Sequence, residues 1–398
     1  MTHDLISVLI IGTDLNPTVP LSDVEAHDFN VLHLADDREL EKALVEFRPQ
    51  VVLTVGKFDT FPNLATAPFE IRRRWLHFEE MKDPVRLGWA ALQCYVAAAT
   101  TPTKWPLISV ITPTYLSGNK ISRPHRSLLR QVHNNWEWVL FDDSPDDGLT
   151  FGELCRLAES DHRISVYRSQ KHSGVIGEVK HRACMLAKGS ILVELDHDDE
   201  LLPDCLSSIK AAFEQFPDAG FAYTDCAEVF DDGTNASYDR WAFDYGSYRR
   251  ERHDGRELMV TNYPNVNAKT IRHIVGAPNH ARAWRKDAYF QISGHGRDVH
   301  VCDDYELILR TFLKTRMVKI PKLGYVQYYN RSSSGNTQRH RNKEIQRLVR
   351  CFRERYEPEI HKRLLELQVE DFIWTEKGLN WNVPNPTPET FVNYVAKI

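Results

Sequence analysis

Three features are missing from this sequence: an excess of charge of one sign, closely paired cysteines and a long apolar run. The chain carries 50 Lys and Arg against 55 Asp and Glu, a formal net charge of −5, which predicts no overall attraction to nucleic acid or anionic lipid. Its seven cysteines include no CxxC pair, which favours reduced thiols over a disulfide framework. The start of the chain has no signal-peptide pattern, and no apolar run approaches the length of a membrane span. These absences together predict a protein of the cytoplasm.

Two nucleotide-binding motifs are missing as well. There is no GxxxxGK[ST] phosphate loop and no GxGxxG turn, so the usual motifs of ATPases and dinucleotide-binding proteins are lacking. With 42% hydrophobic and 26% charged residues in 398 positions, the composition is that of a globular protein with room for two or three domains.

The pattern of apolar runs divides the chain into four regions. Residues 1–65 alternate strand-like and helix-like runs and predict a small α/β accessory domain, for acceptor recognition or for assembly of a homo-oligomer. Residues 66–105 have the pattern of a helical connector that ends in TTPTKWP. Residues 106–335 again alternate strands with helices, which predicts a mostly parallel sheet. Residues 336–398 are expected to form a helical region and a tail.

Polar side chains follow several predicted strands of the third region. Thr114 and Tyr115 follow the first strand, Asp142 and Asp143 the second, and the acidic run 196–199 the fourth. Parallel sheets bind ligands beyond the carboxyl ends of their strands, so we expect these side chains to converge on one crevice. A lone Asp after a strand is more often a turn or helix cap. The whole series at successive strand ends favours a binding site.

The acidic run lies in the stretch ILVELDHDDELLP, where Asp196, Asp198 and Asp199 follow a buried strand. Like charges this close repel one another unless a cation lies among them. Carboxylate oxygens without a Cys and His set favour Mg²⁺ or Mn²⁺, which commonly keep waters and reach substrate phosphates. The stretch therefore predicts a metal that holds a nucleoside diphosphate.

Five motifs together resemble the family 2 glycosyltransferases, which have the GT-A fold. In chain order they are ITPTY at 111–115, FDDSPDDG at 141–148, SGVIGEVKHRACMLAKG at 173–189, LDHDDEL at 195–201 as the DxD motif, and VCDDYELILR at 301–310 after the turn SGHG. Each motif alone is weak evidence, but five in this order resemble the family over about residues 105–335. The resemblance implies an α/β GT-A domain with a Rossmann-like, mostly parallel sheet.

The resemblance also implies roles for individual residues. Those assigned to the nucleotide sugar are Pro113, Thr114, Tyr115, Asp142, Asp143, Gly174, Lys180 and Asp196. Asp142 or Asp143 accepts a hydrogen bond from a uracil or thymine ring, which implies a UDP-sugar or dTDP-sugar donor. Asp198, together with Asp196, holds Mn²⁺ or Mg²⁺. Lys180 stands where the family usually has arginine.

The implied reaction is a sugar transfer with inversion at the anomeric carbon. The metal stabilises the departing diphosphate as a Lewis acid, and Asp304 matches the residue that removes the proton from the acceptor hydroxyl. Asp303 lies beside it in the usual glutamate position. The acidic residues at the start of DDYELILR could equally mark the first turn of a helix, where the helix dipole favours negative charge. Both interpretations are compatible.

Three further residues are candidates for the acceptor side, next to Asp303. His280 could face the acceptor or the metal, although a lone histidine is more often structural. Arg282 could neutralise a phosphate or pair with a surface acid. Trp284 offers an aromatic face to a sugar ring, and core packing explains it equally well.

Residues 331–363 hold ten Lys and Arg against four Glu. This basic segment could contact the phosphates of a lipid-linked acceptor, the anionic inner face of a membrane, or DNA. It could also be the solvated side of an amphipathic helix, which is the commoner case.

Three alternatives to a glycan-directed glycosyltransferase stay open on the sequence. One is a sugar-binding or scaffolding protein with a degenerate transferase domain, against which the intact Asp196, Asp198 and Asp304 argue. Another is a nucleotidyltransferase, which would need a basic, glycine-rich loop after the first strand, where ITPTYLSGNK has one glycine. The third is sugar transfer to modified DNA bases.

Overall fold

The computed structural model of the protein describes most of the chain. The described residues are 5–12, 28–56, 61, 63–64, 67, 71, 74–78, 83–100, 107–161, 163–169, 171–237, 247–263, 266, 268–273, 275, 277–329 and 341–367. Its strands are β1 (Leu5–Ile11), β2 (Asp28–Leu34), β3 (Val51–Val55), β4 (Trp75–Phe78), β5 (Ile108–Thr114), β6 (Trp136–Asp142), β7 (Ile164–Arg168), β8 (Ile191–Glu194), β9 (Glu200–Leu201), β10 (Ala219–Phe230), β11 (Ser247–His253), β12 (Arg256–Asn262), β13 (Arg282–Arg285) and β14 (Arg316–Tyr329). Its helices are α1 (Leu40–Glu46), α2 (Pro84–Thr100), α3 (Ser122–Leu129), α4 (Leu149–Glu159), α5 (Ile176–Leu186), α6 (Cys205–Gln215), α7 (Ala268–His273), α8 (Lys286–Gln291), α9 (Asp303–Lys314) and α10 (Asn342–Glu366).

These elements belong to two compact units made of interleaved segments. The first unit contains the described residues of Met1–Ile111, Asn135–Ser173 and Arg182–Leu192. The second contains those of Thr112–Asn134, Gly174–His181 and Val193–Ile398. The α/β fold class expected from the sequence is confirmed, whereas the four predicted domain boundaries stay predictions.

In the first unit, four parallel strands form a sheet with the order β2-β1-β3-β4. The apolar residues of β3 and those of β1 after Leu5 are fully buried, as expected for central parallel strands. Leu87, Ala91 and Leu92 of α2 are buried in the same core. The sheet order of the other strands in this unit is β8-β5-β6-β7, and β6 and β7 are parallel.

The strand β4 corrects one sequence expectation. FEIRRRWLHFEEM was predicted to be helical, but Trp75–Phe78 pairs in parallel with β3. Trp75 and His77 are buried while Leu76 and Phe78 are half-buried, which is the two-residue alternation of a strand. The second half of the predicted connector is helical, as α2.

The second unit contains the strands that follow the acidic run. Its sheet has the order β11-β12-β10-β13-β8, with β14 parallel to β10 and antiparallel to β9. The last pairing sets Tyr325 opposite Leu201 and Val326 opposite Glu200. Residues of the long strand β14 therefore lie beside the end of the acidic run.

The predicted C-terminal helix is α10. Its apolar residues Ile345, Val349, Ile360 and Leu364 are buried, and Oη of Tyr356 donates a hydrogen bond to Glu306 of α9. Residues 331–340 of the basic segment, and the tail from 368 onward, lie outside the described residues. Of the helices described, none is long and apolar enough to cross a membrane.

Candidate active site

The centre of the candidate site is Glu194, the last residue of β8. Its side chain is only 6% exposed, and because strand side chains alternate, it lies on the same face as Asp196. Oε2 lies 2.8 Å from Nε of Arg282, and Oε1 lies 2.9 Å from Nε2 of His295 and 3.6 Å from Nζ of Lys180. These contacts are close, but neither carboxylate oxygen of Glu194 accepts a hydrogen bond of good geometry from the described residues. Burial raises the pKa of Glu194, but Arg282, Lys180 and His295 together hold it well below the ordinary value.

Lys180 of α5 joins Glu194 to the beginning of α9. Its Nζ lies 3.5 Å from Oδ2 of Asp303, and that oxygen lies 3.7 Å from Nε2 of His295. Burial lowers the pKa of Lys180, but the carboxylates of Asp303, Glu194 and Asp196 raise it above the ordinary lysine value. The ammonium group is therefore held charged inside the protein.

Arg282, the first residue of β13, joins the same cluster to Asp304. Its Nη1 donates a hydrogen bond to Oδ2 of Asp304 over 3.2 Å, while Oδ1 accepts one from the backbone N–H of Tyr305. Arg282 is 3% exposed, but Asp304 is 30% exposed and lines a small cleft with Ile271, Pro278 and Ile308. Burial raises the pKa of Asp304, but Arg282 and Lys180 lower it below the ordinary value. Asp304 is thus an ionised carboxylate that faces an open cleft.

A second group lies at the acidic run and consists of Asp196, Asp199 and His280. One ligand atom from each lies within 4.8 Å of the others, and Nε2 of His280 is 3.8 Å from Oδ2 of Asp196. Burial and the other carboxylates raise the pKa of Asp199, and burial is the main reason that the pKa of Asp196 is raised. Burial likewise holds the pKa of His280 well below its ordinary value, so its ring is neutral. Two repelling carboxylates beside a neutral imidazole fit a divalent cation.

The charges around the site support the same conclusion. The carboxylates of the two groups are Glu194, Asp196, Asp199, Asp303 and Asp304, and the permanently cationic side chains among them are Lys180 and Arg282. An excess of buried carboxylates over cationic side chains is unfavourable unless a further positive charge is bound. Nδ1 of His280 is also buried without a hydrogen-bond partner in the described part of the chain. The residues present therefore fit Mn²⁺ or Mg²⁺.

Tyr325 of β14 holds the acidic run in place. Its hydroxyl donates a hydrogen bond to Oδ2 of Asp199 over 2.8 Å and accepts one from the backbone N–H of Asp196 over 3.0 Å. Its ring stacks on His280, with centroids 4.4 Å apart. One side chain thereby contacts all three residues of the candidate metal group.

Asp198, the predicted metal ligand, has different neighbours. Its Oδ2 lies 3.1 Å from Nζ of Lys120, and its Oδ1 lies 3.9 Å from Nε2 of His197. Its backbone carbonyl accepts a hydrogen bond from Arg123. Asp198 is not part of the three-residue group, and its role as a ligand stays a prediction.

Two glycines bring the predicted motifs of α5 and α9 together. A Cβ on Gly177 would lie 2.1 Å from the carbonyl oxygen of Gly296, so neither larger side chains nor a shifted backbone fit at this contact. Gly174 has a φ of +67°, a conformation that glycine adopts without strain. The glycines of SGVIGEVK therefore set the approach of Lys180 to Asp303.

Asp142 and Asp143 lie in the first unit, at the end of β6. Oδ1 of Asp142 accepts hydrogen bonds from the backbone N–H and hydroxyl of Ser144. Oδ1 of Asp143 accepts one from the N–H of Ser173, and its Oδ2 lies 3.0 Å from Nδ1 of His172. Asp142 thus orders its own loop and Asp143 joins that loop to residues 172–173, and their contact with a nucleotide base stays a prediction.

The other predicted residues occupy different environments. Pro113 is half-buried, Thr114 is buried and Tyr115 is exposed at the end of β5. Trp284 is fully buried, where Nε1 donates a hydrogen bond to Thr311 and its ring contacts Phe221 and Tyr289. Trp284 therefore packs in the core, which is one of the two roles that the sequence left open, and its contact with an acceptor sugar stays a prediction.

Sequence reasoning missed four residues of the two groups. They are Glu194, His295 and Tyr325, and also Asp199 as a named ligand, although the acidic run that predicted a metal included it. Glu194 had a signal, because a carboxylate inside an apolar strand is unusual unless it is paired. Tyr325 had none, because its place depends on the pairing of β14 with β9.

Comparison with known proteins identifies the relationship. Residues 109–289 match the model of the family described as Glycosyl transferase family 2. The putative teichuronic acid biosynthesis glycosyltransferase TuaG of Bacillus subtilis is 33% identical over 133 residues, which are 33% of this chain and 52% of TuaG. The putative colanic acid biosynthesis glycosyl transferase WcaA of Escherichia coli is 33% identical over 118 residues, 30% of this chain and 42% of WcaA. This chain thus spans about half of each of these relatives.

Among solved structures, the fragment 1–349 of Staphylococcus aureus TarS, in complex with UDP-GlcNAc, is similar with a TM-score of 0.46 and 17% identity. The match covers 72% of this chain and 79% of the TarS fragment. The family match confirms the resemblance that the five sequence motifs indicated.

Proposed function

Residues 109–289 of this chain match the model of glycosyl transferase family 2, and we propose that the protein is an inverting, metal-dependent glycosyltransferase. It moves a sugar from a nucleoside diphosphate sugar, a UDP-sugar or dTDP-sugar, to a hydroxyl group of a glycan or lipid-linked acceptor. The names of TuaG and WcaA, which refer to teichuronic acid and colanic acid biosynthesis, support a glycan acceptor. The seven free cysteines support a reducing, cytoplasmic location.

One observation carries the proposal. An ionised, partly exposed carboxylate, Asp304, is paired with the buried guanidinium of Arg282, which also interacts electrostatically with Asp196 of the candidate metal group. Burial lowers the pKa of Arg282, but Glu194, Asp304 and Asp196 raise it, so its positive charge is shared between the two groups. A sugar transfer needs a base for the acceptor and a positive charge for the leaving group. Both requirements have a candidate here.

The chain's own residues support a single displacement. The acceptor hydroxyl forms a bond to the anomeric carbon as the bond from that carbon to the diphosphate oxygen breaks. The hydroxyl proton passes to Oδ of Asp304, which Arg282 holds in place and keeps ionised before the reaction. Asp196, Asp199 and His280, or the predicted ligand Asp198, would hold a divalent cation, which would supply positive charge to the leaving diphosphate. Attack from the side opposite the leaving group inverts the anomeric carbon.

The proposal is tested by measuring ligand binding before any acceptor is known. Unfolding temperature is recorded with UDP, dTDP, GDP and ADP, each with Mn²⁺, with Mg²⁺ and with EDTA. A ligand at 100 times its Kd stabilises the folded state by about 2.7 kcal/mol. We expect UDP or dTDP to protect more than the purine nucleotides, and only when metal is present.

Hydrolysis of a panel of UDP-sugars and dTDP-sugars then identifies the donor. Equal protection by all four nucleotides would remove the argument for a pyrimidine donor, and protection that survives EDTA would contradict the metal dependence. The absence of any nucleotide binding would contradict the transferase proposal itself.

A further inference from the structure

Four polar side chains form a cluster that the proposed reaction does not use. Glu228 of β10, Asn279, and Gln327 and Tyr329 of β14 make up this Glu228 cluster. Nδ2 of Asn279 and the hydroxyl of Tyr329 donate hydrogen bonds to Oε1 of Gln327, over 2.7 and 3.1 Å. Glu228 lies opposite Gln327 in the pairing of β10 with β14. The cluster is therefore contiguous, and Asn279, Gln327 and Tyr329 are each partly exposed.

Glu228 is not explained by a structural role. It is 6% exposed, and its Oε2 has no hydrogen-bond partner among the described residues. Burial raises the pKa of Glu228 to about 7, although hydrogen bonds with Tyr329 and Asn279 lower it. A buried carboxyl oxygen without a partner is unfavourable, so a polar group that only held two strands together would be expected to be satisfied.

The Glu228 cluster lies next to the candidate metal group. Asn279 precedes His280 in the chain, and Gln327 lies two residues after Tyr325, on the same face of β14. These two segments contact each other at both positions. The ring of His280 stacks on the ring of Tyr325, and Nδ2 of Asn279 donates a hydrogen bond to Oε1 of Gln327. A molecule bound at the metal group therefore has the Glu228 cluster as its neighbour.

We propose that the Glu228 cluster binds the hydroxyl groups of a pyranose ring. This inference rests on the proposed transferase function, which requires a sugar beside the metal group. Amide and carboxyl groups both donate and accept hydrogen bonds, which matches the double character of a sugar hydroxyl. None of the four side chains is cationic, so the cluster does not suit a phosphate. Oε2 of Glu228, the amide groups of Asn279 and Gln327, and the hydroxyl oxygen of Tyr329 as an acceptor provide the contacts.

The bound ring belongs either to the donor sugar or to the acceptor sugar, and the test separates the two. The variant Tyr329→Phe removes one hydroxyl from the cluster with little change of shape. Glu228→Leu removes the carboxyl group, while Glu228→Gln keeps a donor and an acceptor. The matched control is Tyr328→Phe, because the hydroxyl of the neighbouring Tyr328 contacts Glu200 and Arg256, away from the cluster.

Calorimetry with Mn²⁺ gives the Kd of UDP, UDP-glucose, UDP-galactose and UDP-GlcNAc for each variant. If the cluster binds the donor, one UDP-sugar binds the wild type more tightly than UDP does. Tyr329→Phe and Glu228→Leu then raise the Kd of that UDP-sugar about tenfold, which is the effect of losing one hydrogen bond and leaving its partner group unpaired. UDP itself is unaffected, Glu228→Gln retains most of the affinity, and Tyr328→Phe matches the wild type.

A second measurement covers the acceptor. Saturation-transfer NMR with methyl glycosides of glucose, galactose and N-acetylglucosamine, in the presence of UDP and Mn²⁺, detects acceptor binding. Loss of a methyl glycoside signal in Tyr329→Phe, with UDP-sugar affinities unchanged, assigns the ring to the acceptor. Unchanged affinities in both measurements, or a wild type that binds no sugar-bearing probe, overturn the proposal. Failure of both UDP and dTDP to bind would instead contradict the transferase function, and the methyl glycosides would still test the cluster.

Discussion

The hydroxyl of Tyr325 donates a hydrogen bond to Oδ2 of Asp199 over 2.8 Å, and its ring stacks on His280. This relationship predicts that Tyr325 positions the metal group without binding the metal. In metal sites, removing a residue that orients a ligand typically lowers metal affinity about 10-fold to 100-fold. We expect that loss for Tyr325→Phe in a Mn²⁺ titration with UDP present. Tyr328→Phe, which removes a hydroxyl bonded to Glu200, is the control and should titrate as wild type.

The metal ligands themselves can be distinguished by two substitutions. Asp196 belongs to the group with Asp199 and His280, whereas Asp198 faces Lys120. The DxD resemblance predicts that Asp198→Ala abolishes metal-dependent donor binding, and the geometry predicts the same for Asp196→Ala. Calorimetry of UDP with Mn²⁺ checks both. Unchanged affinity in Asp198→Ala would leave the three-residue group as the metal site and remove Asp198 from it.

Asp304 is expected to act on the acceptor and not on the nucleotide. Asp304→Asn keeps the size of the side chain but cannot accept a proton at neutral pH, so transfer should fall by about 10²-fold to 10⁴-fold. Donor affinity should stay near that of the wild type in calorimetry. Asp287→Asn is a matched control, because Asp287 also lies in the first turn of a helix and accepts from the next backbone N–H. Transfer at the wild-type rate in Asp304→Asn would leave Asp304 as a helix-terminal acid only.

The pH dependence of transfer should follow the lowered pKa of Asp304. Arg282 and Lys180 hold that pKa below the ordinary value of 3.8, against the effect of burial. The base is therefore ionised throughout the neutral range, and the acid limb of kcat/KM should lie below about pH 4. A profile of kcat/KM from pH 4 to pH 8 checks this. An acid limb near pH 6 that does not move as Mn²⁺ is increased would indicate that another group is the base, because a limb caused by protonation of Asp196 or Asp199 would depend on Mn²⁺.

Glu194 should contribute strongly to stability. Removing one partner from a buried ion cluster typically destabilises a protein by about 3 to 5 kcal/mol, which we expect for Glu194→Gln in urea unfolding at pH 7. The pKa of Glu194 is held well below its ordinary 4.5, so its contribution is present above pH 4.5 and is lost as the pH falls further. The difference in the free energy of unfolding between Glu194→Gln and the wild type should therefore become smaller below pH 4.5.

A surface ion pair provides the control for Glu194. Oε1 of Glu214 lies 2.7 Å from Nζ of Lys210, but Glu214 is 58% exposed. Exposed helical pairs contribute about 0.3 to 0.5 kcal/mol, so Glu214→Gln should unfold almost as the wild type does. An equal loss of stability in both variants would mean that burial of Glu194 does not matter.

The sequence could predict those parts of the structure that depend on local patterns of residues. Apolar runs predicted β1, β3, β5 and β6, and linear motifs placed Lys180, Asp196 and Asp304 in one unit. β4 was mistaken for a helix because a four-residue apolar run has too few residues to separate the two periodicities. The role of Trp284 was left open by the sequence because an aromatic residue near a site can pack in the core or face a ligand, and its burial depends on tertiary structure.

The arrangement of the cluster could not be predicted, because it depends on contacts between distant segments. Tyr325 reaches Asp199 only through the pairing of β14 with β9, and no spacing in the sequence encodes that register. The same holds for His295, which contacts Glu194 from a turn between α8 and α9. Sequence indicated which residues carry charge, but the partners of each charge follow from tertiary structure.

The ion cluster around Glu194 also bears on how the chain is synthesised. Its members leave the ribosome at different times, Lys180 and Glu194 well before Arg282 and Asp303. A nascent chain that ends before α9 holds Lys180 and Arg282 without Asp303 and Asp304, and a buried charge lacking its partner opposes compaction. We therefore expect the second unit to remain incompletely folded during translation until α9 has emerged. Until then its exposed surface can bind chaperones.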